Sequence, residues 1–175
     1  MTISEATYQP THAGFGQVRF VEGEFRSSLI ATNAFSKDDK TCHGTIWGPN
    51  TRDAPANSYD TLQYGIDQHC VLESDLHYLN HSCSPNTAVV LDSPNRAQWH
   101  IHVLKDINIG DEITIFYPST EWESGQPFDC MCGSEACLER ISGAKELDLK
   151  TIEKRGYVAK HIQQLLSQRD GMDVS

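Results

Sequence analysis

Cys130, Cys132 and Cys137 fall within one short run as C-x-C-x4-C. Thiols bunched this way suit a thiolate-rich zinc site. Structural zinc prefers four ligands, so the run leaves one place to fill, and Cys42, Cys70 and Cys83 are the candidates that spacing alone does not separate. Cys83 belongs to a second chemically loaded stretch, Asn80-His81-Ser82-Cys83-Ser84-Pro85-Asn86, well upstream of the run. A single site that needs both stretches would account for the pair. Two other patterns carry less. His100 and His102 alternate with Trp99, Ile101 and Val103, which places both imidazoles on the solvated face of a strand rather than in a ligand pair. "GFGQVR" (14–19) has two glycines of a dinucleotide loop, but Arg19 stands where the third would be.

The chain has 175 residues, 38% hydrophobic and 22% charged, which fits one folded domain with a real core. Its net charge is −10, with 24 acidic against 14 basic residues. That excludes nucleic acid as the direct ligand, favours a basic peptide and is indifferent to a neutral small molecule. No apolar run approaches membrane-spanning length, and the N-terminus lacks a basic region followed by an apolar one. The expectation is an intracellular protein, cytoplasmic or nuclear, neither secreted nor membrane-bound, in which cysteines serve as ligands or buried thiols.

The elements that must position these residues read as short strands between turn signals. They are "QVRF" (17–20), "SLIAT" (28–32), "GTIW" (44–47), "TAVVL" (87–91), "QWHIHVL" (98–104) and "EITIF" (112–116). Residues 57–79 fit strand, short helix or loop equally. "EITIF" runs into Tyr117 and Pro118, so the strand should end there with a phenol at its terminus. Val158, His161, Ile162, Leu165 and Leu166 recur at helical spacing and predict an amphipathic packing helix over about 157–168.

Together these residues resemble the SET-domain family of protein lysine methyltransferases. Asn80, His81, Ser82, Cys83, Pro85 and Asn86 match each fixed position of the family's Asn-His-Ser-Cys-x-Pro-Asn motif. "GDEITIFY" (110–117) is similar to the second signature, and "FDCMCGSEACLERISG" (128–143) to the post-SET segment. The resemblance spans roughly residues 15–145. It implies a β-rich fold of small sheets with a pseudoknot, a post-SET zinc site and a C-terminal helix. The implied layout is an N-terminal extension (1–14), a SET domain (15–125), a post-SET zinc-binding segment (126–145) and a helix with a tail (146–175).

The resemblance further implies that Cys83 joins Cys130, Cys132 and Cys137 around Zn2+. S-adenosylmethionine would bind at Asn80 and His81 and at the turn carrying Arg26 and Ser28. Tyr117 would stand at the point of methyl transfer to a protein lysine or basic peptide. Such a displacement needs no histidine base, only a neutral, oriented amine. The sequence departs from the family pattern at Arg26 and Ser28, which replace loop glycines, at His77, at Phe116, and in a short 48–79 region. These departures define two competing functions: a SET-fold enzyme redirected to small-molecule biosynthesis, such as a cyclase, or a non-catalytic zinc-stabilised interaction module. Tyr59, Tyr64 and Tyr78 are the candidates for a further aromatic wall of the pocket.

Overall fold

The computed structural model describes residues 7–38 and 43–171. Five small sheets carry the chain. β1 (Gly16–Arg19) and β2 (Ser28–Ala31) form an antiparallel pair, and β3 (Thr51–Ala54), β4 (Thr61–Gly65) and β5 (Gln68–Leu72) form a sheet in the order β3-β5-β4. β6 (Asn80–His81) pairs in parallel with β9 (Thr114–Ile115), whereas β7 (Thr87–Val90) and β8 (His100–Val103) are antiparallel. β10 (Phe128–Asp129) and β11 (Arg140–Ile141) close the set, followed by α1 (Leu149–Glu153) and α2 (Lys160–Arg169). Among the described residues no helix is long and apolar enough to cross a membrane.

The strand-rich expectation holds, with instructive differences. Residues 44–47 form no strand. His43 exchanges backbone bonds with Ile101 (3.0 and 2.6 Å), but Gly44 then takes φ 53° and turns the chain out of the ladder. Conversely, β3 lies inside "GPNTRDAPANS" (48–58), whose glycine, prolines and asparagines read as a breaker. It is an edge strand with Arg52 and Asp53 exposed, so it carries no apolar alternation. The ambiguous 57–79 region resolves into the β4–β5 hairpin, whose turn needs Asp67 at φ 54°, and a 3-10 turn over Asp75–Tyr78. In β8 Ile101 and Val103 are buried while His100 and His102 stay half exposed, as their alternation requires.

The predicted C-terminal helix is real but starts later, at Lys160, and a short α1 precedes it. Asp148 caps α1 by accepting from the Thr151 N–H at 2.7 Å. Gly156, at φ 115°, breaks the run, and residues 157–159 extend to dock on the core. There the Ala159 N–H donates to Ser119 O (2.9 Å), and His161 Nε2 lies 2.7 Å from Thr120 O. The face of α2 that is buried comprises His161, Ile162 and Leu166. It belongs to a second core with Phe116, Ile141, Ala144, Ile152 and Val158, separate from the larger core between the sheets.

Two carboxylates, one buried and one half-buried, tie distant segments together. Asp75 is fully buried and accepts from Tyr8 Oη (2.9 Å) and from the Thr11 and His12 N–H groups (both 2.8 Å), which anchors the N-terminal segment ahead of β6. Glu121 accepts from the Gln63 N–H (2.9 Å), while Gln63 Oε1 accepts from the Trp122 N–H (2.8 Å), stitching β4 to the chain beyond Tyr117. Burial pushes the Glu121 carboxyl up to about 7.

Two outcomes follow. Asp75→Ala leaves three donors without an acceptor and should lower unfolding free energy by on the order of 3 kcal/mol, read by urea denaturation. Because Glu121 is raised above its unfolded pKa, the folded state holds more protons between those values, so stability should fall as pH rises from about 4.5 to about 7. Glu121→Gln keeps the acceptor oxygen and should flatten that fall; an unchanged pH profile of the melting temperature would contradict the assignment.

Candidate active site

The parallel pairing of β6 with β9 sets Asn80 opposite Thr114 and His81 opposite Ile115. This lays the first signature stretch alongside the second. A two-residue ladder is short, and asparagine side chains extend it. Asn86 Nδ2 donates to Glu112 O, and Asn86 Oδ1 accepts from the Thr114 N–H, each at 2.8 Å. Asn80 Nδ2 donates to Glu112 Oε1 (2.8 Å) and to Ser27 O (3.0 Å). Sequence reasoning passed over Ser27 and Glu112; Glu112 stands in the second signature and was legible there.

Arg26 and Ser28 therefore flank the contact rather than make it. Arg26 is exposed and turns back to Glu22 O (3.2 Å), and Ser28 is buried in β2 with its Oγ accepting from Arg19 (3.2 Å). The left-handed residues of this loop are Gly23 (φ 110°) and Phe25 (φ 57°). Phe25 is exposed and meets Tyr59 edge-on, with centroids 5.7 Å apart.

His81 is the centre of an aromatic group. Its ring lies 5.4 Å from Phe116, 5.3 Å from Tyr117 and 5.7 Å from Phe128. The Tyr117 N–H donates to His81 Nδ1 at 3.2 Å, which assigns the proton to Nε2, 3.3 Å from Cys83 Sγ. Burial and the charge of Arg155 push its pKa down to about 4, so the ring is neutral. Tyr117 opens a 3-10 turn one residue after β9, with Phe116 between them and Pro118 following. Its hydroxyl donates to Leu79 O at 3.0 Å, and burial, with Glu121 and Glu112 nearby, raises it to about 12. None of Tyr59, Tyr64 and Tyr78 stacks on Tyr117, whose ring partners are His81 and Phe128.

The four sulfurs of Cys83, Cys130, Cys132 and Cys137 lie within 4.8 Å of one another. The Leu138 N–H approaches Cys83 Sγ at 3.3 Å and the Glu139 N–H approaches Cys137 Sγ at 3.4 Å, as amides do around thiolates. Burial opposes charge at Cys132, but the N–H groups of Ser134 and Cys83 outweigh it and lower its pKa to about 6. Cys70 sits apart in the main core with its thiol raised to about 12, and Cys42 lies outside the described residues. Arg155 spans the junction: it donates to Cys83 O (3.1 Å), Ala136 O (2.8 Å) and Thr151 O, and its guanidinium lies 4.9 Å over Phe116. The cysteine cluster is thereby joined to α1 and to the wall behind His81.

Comparison with known proteins agrees with this arrangement. The family model for the SET domain matches residues 15–118. The chain is 38% identical over 116 residues to "Methyltransferase flvH" of Aspergillus flavus, an alignment covering 65% of this chain and 62% of that protein. It is 30% identical over 132 residues to "Histone-lysine N-methyltransferase Suv4-20" of Caenorhabditis elegans, covering 70% of this chain and 44% of that protein. It thus spans less than two thirds of either relative. In fold it is similar to KRYPTONITE, whose crystal structure holds mCHG DNA and SAH, with a TM-score of 0.50, 17% identity, and coverage of 68% of this chain and 27% of that one. From the paired signatures of β6 and β9 and the match over residues 15–118, the chain belongs to the SET domain family.

Proposed function

We propose that this protein binds S-adenosylmethionine beside Asn80 and His81 and transfers its methyl group to an amine, the side chain of a protein lysine. One observation carries the reading: Ser27 O, Asn80, Glu112, His81 and Tyr117 converge where two signature stretches pair. The donor set fits a sulfonium cation. The Tyr117 and Phe128 faces, the Ser27 and Leu79 carbonyls and the Glu112 carboxylate all offer it negative potential. When bound, that cofactor supplies an electrophilic methyl group.

The protein's own residues handle the acceptor. A lysine amine has a reference pKa of ~10.4 and must arrive neutral. The desolvation that is the largest cause of the rise at Tyr117 disfavours an ammonium in the same way and pulls the amine's pKa down, against the opposite pull of the Glu121 and Glu112 carboxylates. With its proton committed to Leu79 O, the Tyr117 oxygen is left to accept an N–H from the amine and fix the direction of the lone pair. Held this way, the lone pair would be directed at the methyl group that the bound cofactor would supply.

The four cysteines fit zinc, because tetrahedral Zn–S bonds of ~2.3 Å set sulfurs roughly 3.8 Å apart. The metal would lock residues 130–137 against the β6 turn and so hold Phe128 beside Tyr117. The net charge of −10 suits a basic peptide rather than nucleic acid, and several relatives are named histone-lysine methyltransferases. A small-molecule amine is the second reading, favoured by the 38%-identical relative named only as a methyltransferase. Incubation with labelled cofactor, basic peptides and small amines, followed by mass spectrometry, separates the two. Absence of any methylated product from zinc-loaded protein would leave an interaction module.

Metal analysis of the purified protein should give one zinc per chain. Cys83→Ser should lose it and lower the melting temperature, while Cys70→Ala should keep it. Zinc retained in Cys83→Ser would break the ligand assignment. Tyr117→Phe keeps the ring but removes the hydroxyl, and turnover should fall on the order of 10–1000-fold with melting little changed. An equal loss of stability and activity would instead mark Tyr117 as a packing residue.

A further inference from the structure

At the edge of the larger core, where β4 meets the segments that precede β3 and β8, three rings enclose a cation. Trp47, Tyr64 and Trp99 lie with centroids 6.1, 5.8 and 5.3 Å apart, two of the three pairs edge-to-face at 77° and 84°. Inside them sits the Arg96 guanidinium, 4.3 Å from the Trp47 ring, 4.6 Å from Tyr64 and 5.7 Å from Trp99. Asp53 stands at the rim, 3.2 Å from Arg96, and its carboxylate also accepts the Tyr64 hydroxyl at 2.6 Å. The box is well braced, since Trp99 is buried and its Nε1 donates to Ser93 O at 2.8 Å.

Rings facing a common point, with a carboxylate at the rim, make the arrangement by which proteins hold methylated ammonium ions. In the box the guanidinium rides on two rings and stands off the third, and its N–H groups donate to Asp53 Oδ1 (3.2 Å) and to the Tyr64 hydroxyl (3.1 Å), two bonds that an entering methylated ammonium would have to offset by its contact with the rings. Arg96 reaches it from a three-residue 3-10 turn in the β7–β8 loop, and 35% of its side chain remains exposed. That turn is capped within itself, Asn95 Oδ1 accepting from the Ala97 N–H and Ser93 Oγ donating to Gln98. The loop therefore keeps its form if the Arg96 side chain leaves. Beside the box opens a cavity of about 410 Å³ that shares Tyr64 and is also lined by Leu91, Lys160 and His161. A peptide backbone has room there while its side chain enters between the rings.

We propose that Trp47, Tyr64, Trp99 and Asp53 form a second site, a cage for a methylated ammonium carried on a basic peptide, which Arg96 occupies as an internal plug. Binding requires Arg96 to swing out, so the free protein is self-blocked. The site does not depend on the activity proposed for Tyr117, and a direct binding measurement tests it alone.

Tryptophan fluorescence reads the cage, because Trp47 and Trp99 are two of its three walls. Wild-type protein, Arg96→Ala and Arg96→Met should be titrated with a trimethyllysine peptide, its unmethylated counterpart and tetramethylammonium. Removal of the plug should give saturable quenching by the trimethyllysine peptide at least tenfold tighter than wild type, and weaker with the unmethylated peptide. Adding Tyr64→Ala should abolish it. Tighter binding of the peptide than of tetramethylammonium identifies a peptide ligand, whereas equal affinity identifies a free quaternary amine in the same cage. Folded Arg96 variants with no saturable response would overturn the proposal. So would loss of cooperative melting in both variants, since Arg96 would then be a structural bracket only.

Discussion

The site depends on a parallel ladder of only two residues, β6 against β9. Backbone bonds in so short a pair cannot specify register, because a slip of one residue would turn each side chain to the opposite face. The specification comes from side-chain amides. Asn86 takes both the N–H of Thr114 and the carbonyl of Glu112, and Asn80 reaches Glu112 from the other end. An amide has a donor and an acceptor at fixed separation, so it reads one register and rejects its neighbours. With that register set, His81 meets the Tyr117 N–H and Cys83 faces Cys130.

A second layer of constraint closes on this one from the C-terminal side. Arg155 gives its donors to carbonyls from three segments, the β6 turn, the cysteine loop and α1. Its charge meets neutral acceptors and a ring face, which holds Phe116 in place, and it adds to burial, the larger cause, in keeping the neighbouring His81 neutral. α2 adds a clamp on residues 119–120 immediately after Tyr117. The C-terminal segment is thus part of the wall behind the tyrosine, and its small separate core is the energetic reason it stays there.

The two places proposed to accept a cation differ in the source of their negative character. At the Tyr117 wall the negative character comes from carbonyls, ring faces and the partly enclosed Glu112 and Glu121. At the Arg96 box it comes from three rings and the exposed Asp53. Ring faces and carbonyls suit alkylated nitrogen or sulfur more than a strongly hydrated ammonium.

Much of this was legible from residue order. The cysteine run, the Asn80–Asn86 stretch and the Tyr117-Pro118 strand end each carry chemistry in their spacing, and the alternation of β8 and the buried face of α2 follow from periodicity. What eluded the sequence was whatever is decided by partners far along the chain. β3 has no apolar pattern because an edge strand needs only backbone pairing with β5. GTIW has strand-forming residues, yet the positive φ of Gly44 overrides them. The helix expected from residue 157 begins at 160 because Tyr157 is drawn out to Leu91 and Asp92. Ser27 enters the site through a carbonyl that no side chain announces, and Arg96 finds its three rings only because strand β4 meets the segments that precede β3 and β8. Local order determines which groups can form turns, strands and ligands. Which of them meet is decided by long-range pairing, where one hydrogen bond or ring contact joins residues with no relation in sequence.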